Sequence, residues 1–140
     1  MKLKITRADI WAASLEDRPA SLAGKLEALE KAGANLEFIM ARRAYEEPGT
    51  GVVFLAPLEG DAQTKAAAAA GFHRTEALHS VRIEGADSPG LASKVTRRIA
   101  GAGINLRGYS ASVIGNQFVA YLALDDEDTA AQVVKALKGI

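Results

Sequence analysis

Two short motifs recur along the chain at one common spacing. Asp17-Arg-Pro19 recurs as Asp87-Ser-Pro89, and Ala32-Gly-Ala-Asn35 recurs as Ala102-Gly-Ile-Asn105, in both cases 70 residues later. That spacing is half of the 140-residue sequence. Because two matches in the same register are improbable by chance in so short a chain, we predict two homologous halves, residues 1–71 and residues 72–140.

Each half carries the same order of secondary-structure signals. In the second half, residues 79–84 alternate as a half-buried strand does, and an apolar stripe follows at helical spacing. Ser88 and Pro89 are typical of an N-cap and a first helical residue, and Asn105 is predicted to open the next strand. A third strand (118–124) and a final helix (126–138) follow. The first half predicts strands at 10–15, 35–45 and 52–58 and helices at 19–31 and 61–70.

This order predicts an α+β fold of two ferredoxin-like (βαββαβ) units in tandem, with antiparallel sheets and helices on one face. Residues 71–77 supply the fourth strand of the first unit. The second unit has no residues left for a fourth strand after its last helix. We therefore expect residues 2–7 to cross over and complete the sheet of the second unit.

The charge and composition exclude several classes of function. The chain has 17 basic and 17 acidic residues, so no net field attracts nucleic acid or an anionic membrane. It has no cysteine, which excludes disulfides and thiolate chemistry. No segment is typical of a signal peptide or a membrane span. We expect a cytoplasmic protein.

The candidate ligand site is the loop that contains Asp87, Ser88, Gly90 and Leu91, together with Asn105. A helix N-terminus offers unpaired N–H groups to a carboxylate, here from Gly90 and Leu91. On the ferredoxin plan we expect the strand that starts at Asn105 to lie beside the strand that ends near Asp87, so that both side chains face the same loop and accept hydrogen bonds from an ammonium group. An anion site beside a cation site matches a free α-amino acid. Asp17 and Asn35 form the copy of this site in the first half.

These residues resemble the ACT family, whose motif is Asp-x-Pro-Gly, an amphipathic helix and then Gly-Ile-Asn. The second half has the full motif, from Asp87 to Asn105, whereas Ala20 replaces the motif glycine in the first half and Ala34 replaces the aliphatic residue. The resemblance implies a regulatory domain that binds amino acids at interfaces between paired units. It implies no catalytic activity, and a regulated enzyme or transcription factor on another chain.

The remaining residues give weaker signals. His73 and His79 lack the spacing of a metal pair, and no nucleophile has a recognisable base, so we predict no metal, cofactor or catalytic residue. Of the strand aromatics only Tyr109 and Phe118 could stack on bases, which argues against nucleic-acid binding.

Two alternatives to an amino-acid sensor stay open. One is a ligand-independent interaction or oligomerisation module, and the other is a small acylphosphatase-like hydrolase, which Asp87 disfavours by repelling an anionic substrate. The strands at 51–56 and 118–124 are apolar on both faces, which indicates that the second face is covered, so we also predict a homodimer that packs sheet against sheet or edge to edge.

Overall fold

A computed structural model describes residues 2–75 and 79–140. These residues form eight strands and four helices in two similar series. The first series is β1 (Lys4–Ala8), β2 (Trp11–Glu16), α1 (Ser21–Lys31), β3 (Phe38–Arg43), β4 (Thr50–Ala56), α2 (Gly60–Ala69) and β5 (His73–Arg74). The second series is β6 (His79–Ala86), α3 (Leu91–Gly101), β7 (Gly108–Ile114), β8 (Gln117–Leu124) and α4 (Glu127–Ala136).

The described residues divide into two units, each built on one four-stranded antiparallel sheet. The first unit is residues 9–75, with strand order β3-β4-β2-β5. The second unit is residues 2–8 and 79–140, with strand order β1-β6-β8-β7. The predicted fold class, two ferredoxin-like units in tandem, is confirmed.

The N-terminal strand belongs to the sheet of the second unit, as the missing last strand predicts. β1 pairs with β6 from Lys4 opposite Glu84 to Ala8 opposite Ser80. The N–H of Leu3 also donates to the carbonyl of Ile140 over 3.2 Å.

In the first unit the fourth strand is β5, and the pairs that the described residues show are Arg74 with Trp11 and His73 with Ala12 of β2. Of the strand predicted at residues 71–77, Glu76 and Ala77 lie outside the described residues. By its pairing with β2, β5 lies in the first unit, whereas the repeat alone puts the division after residue 71. That division of the sequence stays a prediction.

Each unit has its own hydrophobic core between sheet and helices, and the second core is the larger. Six buried residues form the first core, and thirteen form the second. Periodicity explains this placement, since alternate residues of β8 and every third or fourth residue of α3 point inward. The buried residues of those two elements are Phe118, Ala120, Leu122, Leu124, Leu91, Val95 and Ile99.

The helix after the Asp-x-Pro motif begins later than the sequence predicts. α3 starts at Leu91 and α1 at Ser21, so Ser88 is not the N-cap and Pro89 is not the first helical residue. The residue before each helix, Gly90 or Ala20, has a left-handed backbone with φ of 80° or 69°. A Pro-Gly turn therefore occupies the positions that we assign to capping.

One strand pair differs between the units by an exchange of large and small residues. Leu15 of β2 lies opposite Gly51 of β4, whereas the corresponding pair in the second unit is Gly85 of β6 opposite Phe118 of β8. A Cβ at Gly85 would lie 2.7 Å from a methyl carbon of Leu3. Gly85 thus makes room for the side chain that arrives with β1.

Candidate functional site

The loop from Asp87 to Gly90 connects the end of β6 to the start of α3 and is held by backbone hydrogen bonds. The N–H of Asp87 donates to the carbonyl of Asn116 over 2.7 Å. Further on, the N–H of Leu91 donates to the carbonyl of Ser88 over 3.2 Å. The loop has a fixed shape without any side-chain cap on the helix.

The loop and the first turn of α3 leave several backbone donors unpaired. Within residues 2–75 and 79–140, no acceptor is found for the N–H groups of Gly90, Ala92 and Ser93. The N–H of Leu91, which we predict to bind a carboxylate, is already used by the Ser88 carbonyl. The open donors are therefore those on either side of Leu91, and they can donate hydrogen bonds to an anion.

The corresponding loop of the first unit has the same hydrogen bonds. The N–H of Asp17 donates to the Gly49 carbonyl over 3.1 Å, and that of Ser21 to the Arg18 carbonyl over 3.4 Å. Ala20 adopts the left-handed conformation of Gly90 although its Cβ makes that conformation costly. The substitution of the motif glycine therefore changes the strain of this loop but not its shape.

The two motif aspartates differ in their partners. Asp17 forms an ion pair with Arg43 of β3 at 2.9 Å. For Asp87 the described residues provide no cation within salt-bridge distance. The residue of the second unit that corresponds to Arg43, 70 positions later, is Val113, which has no charge. Asp87 is exposed and can pair with an external ammonium group, whereas Asp17 is already neutralised.

An open cavity of about 540 Å³ adjoins the loop of the first unit. Its lining combines hydroxyl groups of Ser14, Ser21 and Thr50 with the charged side chain of Lys25. Lys25 also donates to the Ala70 carbonyl and lies 5.9 Å from the centre of the Phe72 ring. The cavity therefore lies at the loop of the first unit. Asp87, whose carboxylate has no cation partner among the described residues, lies at the loop of the second unit.

Asn105 does not lie beside Asp87, contrary to our expectation. The Asp87 N–H contacts Asn116 at one end of β8, and the Arg107 N–H contacts Ala123 at the other end, over 2.8 Å. Seven residues of strand separate those contacts, about 23 Å. The reason is that a helix connects two parallel strands, so β7 starts at the end of the sheet opposite to where β6 finishes.

Asn105 also does not open a strand. β7 begins three residues later, at Gly108, and Asn105 is exposed. Asn35 in the first unit is likewise exposed, three residues before β3. Each asparagine thus lies in the segment that leads into an edge strand of its sheet.

Tyr109 is a polar residue that sequence reasoning did not assign to this site. Its hydroxyl is buried and has no hydrogen-bond partner within the part of the chain that the structure describes. Burial raises the pKa of Tyr109, so the phenol stays protonated at neutral pH. It lies near the Asn105 end of β7 and has Ile39 as its counterpart in the first unit. The sequence contains no pattern from which the environment of the Tyr109 hydroxyl could have been predicted.

Neither histidine is a residue of the motif loops. His79 Nδ1 is 3.4 Å from the Glu127 carboxylate, which also accepts two hydrogen bonds from the Arg7 guanidinium. His73 lies in β5. Among residues 2–75 and 79–140 no group of three potential ligands could hold a metal ion. None of the helices described is both long and apolar enough to cross a membrane.

Comparison with known proteins gives one family and a common fold. The family model of the ACT domain matches residues 79–140. No curated protein matches the sequence. Protein BT0572 from Bacteroides thetaiotaomicron has a TM-score of 0.78 at 19% identity, with 94% of this chain and 88% of that chain covered.

Two further solved structures have the same fold. The ligand-free regulatory subunit of aspartate kinase from Thermus thermophilus has a TM-score of 0.66 at 14% identity, with 98% of this chain and 95% of that chain covered. The corresponding subunit from Thermus flavus has a TM-score of 0.57 at 17% identity, with 99% and 98% covered. At these identities the likeness establishes the fold of both units.

Proposed function

We propose that this chain, whose residues 79–140 match the family model of the ACT domain, is a regulatory protein that binds a free L-amino acid and has no catalytic activity. The observation that carries this proposal is that Asp87 has no cation within salt-bridge distance among the described residues, and that it lies beside N–H groups of the α3 N-terminus for which those residues provide no acceptor. A carboxylate on the N–H groups and an ammonium group on Asp87 match the two charges that every free amino acid has.

A second copy of the chain completes the site in this proposal. β7 is an edge strand, and its residues Val113 and Ile114 are 49% and 77% exposed. Exposed apolar edges favour pairing with another strand. If β7 pairs antiparallel with the same strand of a second copy, the Asp87 loop lies at the same end of the joined sheet as Asn105 of the partner subunit. The separation of Asp87 and Asn105 within one chain thus supports a homodimer.

Several finer points belong to the same proposal. We assign one ACT-like unit to each half of the sequence, residues 1–71 and residues 72–140. We propose that the protein acts in the cytoplasm on an enzyme or transcription factor carried by another chain. Regulatory subunits of aspartate kinase share the fold, which supports an enzyme as the target.

A screen of the twenty amino acids by thermal shift, followed by calorimetry, tests the proposal. A ligand that binds only the native state raises its melting temperature. Asp87→Asn and Asn105→Ala should each weaken binding of the selected amino acid about ten- to a hundredfold, since each leaves a charged group unpaired. Asp17→Asn and Asn35→Ala are the matched controls and should change little, because Arg43 neutralises Asp17.

Light scattering of the same proteins tests the assembly. A dimer mass at micromolar concentration supports the completed site, and a monomer that binds the amino acid with full affinity contradicts it. A dimer that no amino acid stabilises at millimolar concentration would favour the ligand-independent interaction module, which the exposed residues of β7 also suit.

A further inference from the structure

α3 carries a stripe of three cations on its outer surface. Lys94, Arg97 and Arg98 are exposed and spaced three and four residues apart, so their side chains lie on one face of the helix. Within the described ranges no carboxylate is close enough to form a salt bridge with any of them. α3 itself contains no acidic residue.

The fold does not require these cations. The corresponding helix α1 has the same length, and its residues at the equivalent positions are Gly24, Glu27 and Ala28. α1 balances two lysines with two glutamates. Two helices with the same place in the fold therefore differ in charge, and packing does not explain the difference.

The stripe borders an open hollow of about 580 Å³ between α3 and the end of α4. Gly101, Ala102 and Ala136 line the rest of it and expose mainly apolar atoms. Because these side chains are minimal, the floor is left open, and a Cβ added at Gly101 would meet no atom within 4 Å. The volume lies in the range of small-molecule sites.

Arg98 also makes the hollow compatible with an anion. The last carbonyls of a helix carry partial negative charge, which repels anions. The Arg98 guanidinium donates to the Ala136 carbonyl of α4 over 3.1 Å and so neutralises that end. Lys94 and Arg97 are left to face a ligand.

We propose that this hollow binds a phosphorylated small molecule of the nucleoside phosphate class. The phosphate groups would contact Lys94 and Arg97, since guanidinium and ammonium groups are strong donors to phosphate oxygens. The ring system would lie over the floor formed by Gly101, Ala102 and Ala136. This inference does not depend on the amino-acid site, whose Asp87 loop lies at the opposite end of α3.

Calorimetry with ADP and with pyrophosphate, on the full chain in about 0.15 M salt to screen weak surface attraction, tests the proposal. ADP is expected to bind in the micromolar to millimolar range and more tightly than pyrophosphate. Arg97→Glu, which gives α3 the residue that α1 has at Glu27, should weaken ADP binding about tenfold or more. Gly101→Leu should weaken ADP but leave pyrophosphate unchanged, since it fills only the floor.

Lys65→Glu on α2 is the control, because it changes the net charge equally in the other unit. Loss of ADP binding in that variant would show nonspecific attraction and overturn the proposal. The absence of ADP binding at millimolar concentration would overturn it too, and so would equal affinity for ADP and pyrophosphate. Tighter binding of a single-stranded oligonucleotide than of ADP would indicate a nucleic-acid surface instead.

Discussion

The two units place a large and a small residue on opposite strands at one equivalent strand pair. This difference concerns the strand that precedes each motif loop. In the first unit this strand, β2, has the large residue Leu15 opposite Gly51, whereas in the second unit β6 has the small residue Gly85 opposite Phe118. In the second unit Leu3 of the N-terminal segment approaches the space above Gly85. In the first unit β5 reaches only Trp11 and Ala12, so Leu15 receives no such neighbour from β5. The absence of a side chain at Gly85 therefore leaves room for the Leu3 side chain, which precedes β1 in the second unit.

Removal of the added strand should have the largest effect. A chain that starts at Ala8 loses the contacts of Leu3 and Ile5 with the second core, a cost of about 2–5 kcal/mol in unfolding free energy. Hydrogen exchange should then show loss of protection in residues 79–140. Trp11, the one tryptophan of the chain, should keep its folded fluorescence as a report on the first unit. Equal loss of protection in both units would contradict the division.

The two glycines of the exchanged pairs should tolerate alanine differently. A Cβ at Gly51 would meet the Arg42 carbonyl oxygen at 2.8 Å, and backbone cannot easily move, so Gly51→Ala should cost about 2–3 kcal/mol. A Cβ at Gly85 would meet the end of the Leu3 side chain, which can rotate away, and would lie 3.3 Å from the Lys2 carbonyl oxygen, so Gly85→Ala should cost less, about 1 kcal/mol. Chemical denaturation measures both. Leu3→Ala should relieve part of the Gly85→Ala cost, and a strictly additive double variant would argue against this contact.

The two left-handed residues before the helices should respond in opposite directions. Ala20→Gly removes the Cβ strain at a φ of 69° and should stabilise the first unit by about 1 kcal/mol. Gly90→Ala introduces the same strain and should destabilise the second unit by a similar amount. Thermal unfolding of both variants checks the pair. A stabilising Gly90→Ala would show that the loops differ in shape.

The smallest expected effect concerns the carboxylate that contacts β1. The hydrogen bonds from Arg7 hold the pKa of Glu127 below its ordinary value of 4.5, and His79 adds to the effect. A carboxyl with a lowered pKa in the folded state stabilises the protein above pH 4.5, and that contribution is lost as the pH falls further. Wild type should therefore melt slightly above Glu127→Gln at pH 7, and the difference should shrink as the pH falls below about 4.5. A constant difference would contradict the ion pair.

The sequence predicts the fold well because the fold follows from the repeat and from periodicity. The prediction that residues 2–7 cross over to the second unit is confirmed by the pairing of β1 with β6. The predicted start of α3 is wrong because Ser88 and Pro89 suit both a helix cap and a Pro-Gly turn. Only the backbone angles, such as the left-handed φ of Gly90, distinguish the two. The left-handed Ala20 shows that this conformation does not need glycine.

The geometry of the candidate site is harder to predict. Asp87 and Asn105 are close in the motif but lie at opposite ends of the sheet, because β6 and β7 run parallel. The direction of each strand depends on the topology of the sheet. The spacing between Asp87 and Asn105 in the sequence does not determine it. The ion pair of Asp17 with Arg43 likewise joins residues 26 apart, and no local sequence pattern predicts it.

The crossing of β1 also sets an order of events during synthesis. Lys4 pairs with Glu84, so about 80 residues separate the partners along the chain. At a ribosomal rate of about 5–20 residues per second, β1 waits about 4–16 s for the strand that it joins. All residues of the first unit, 9–75, are made within that interval. The second unit is finished only when Ile140, whose carbonyl accepts the N–H of Leu3, has left the ribosome.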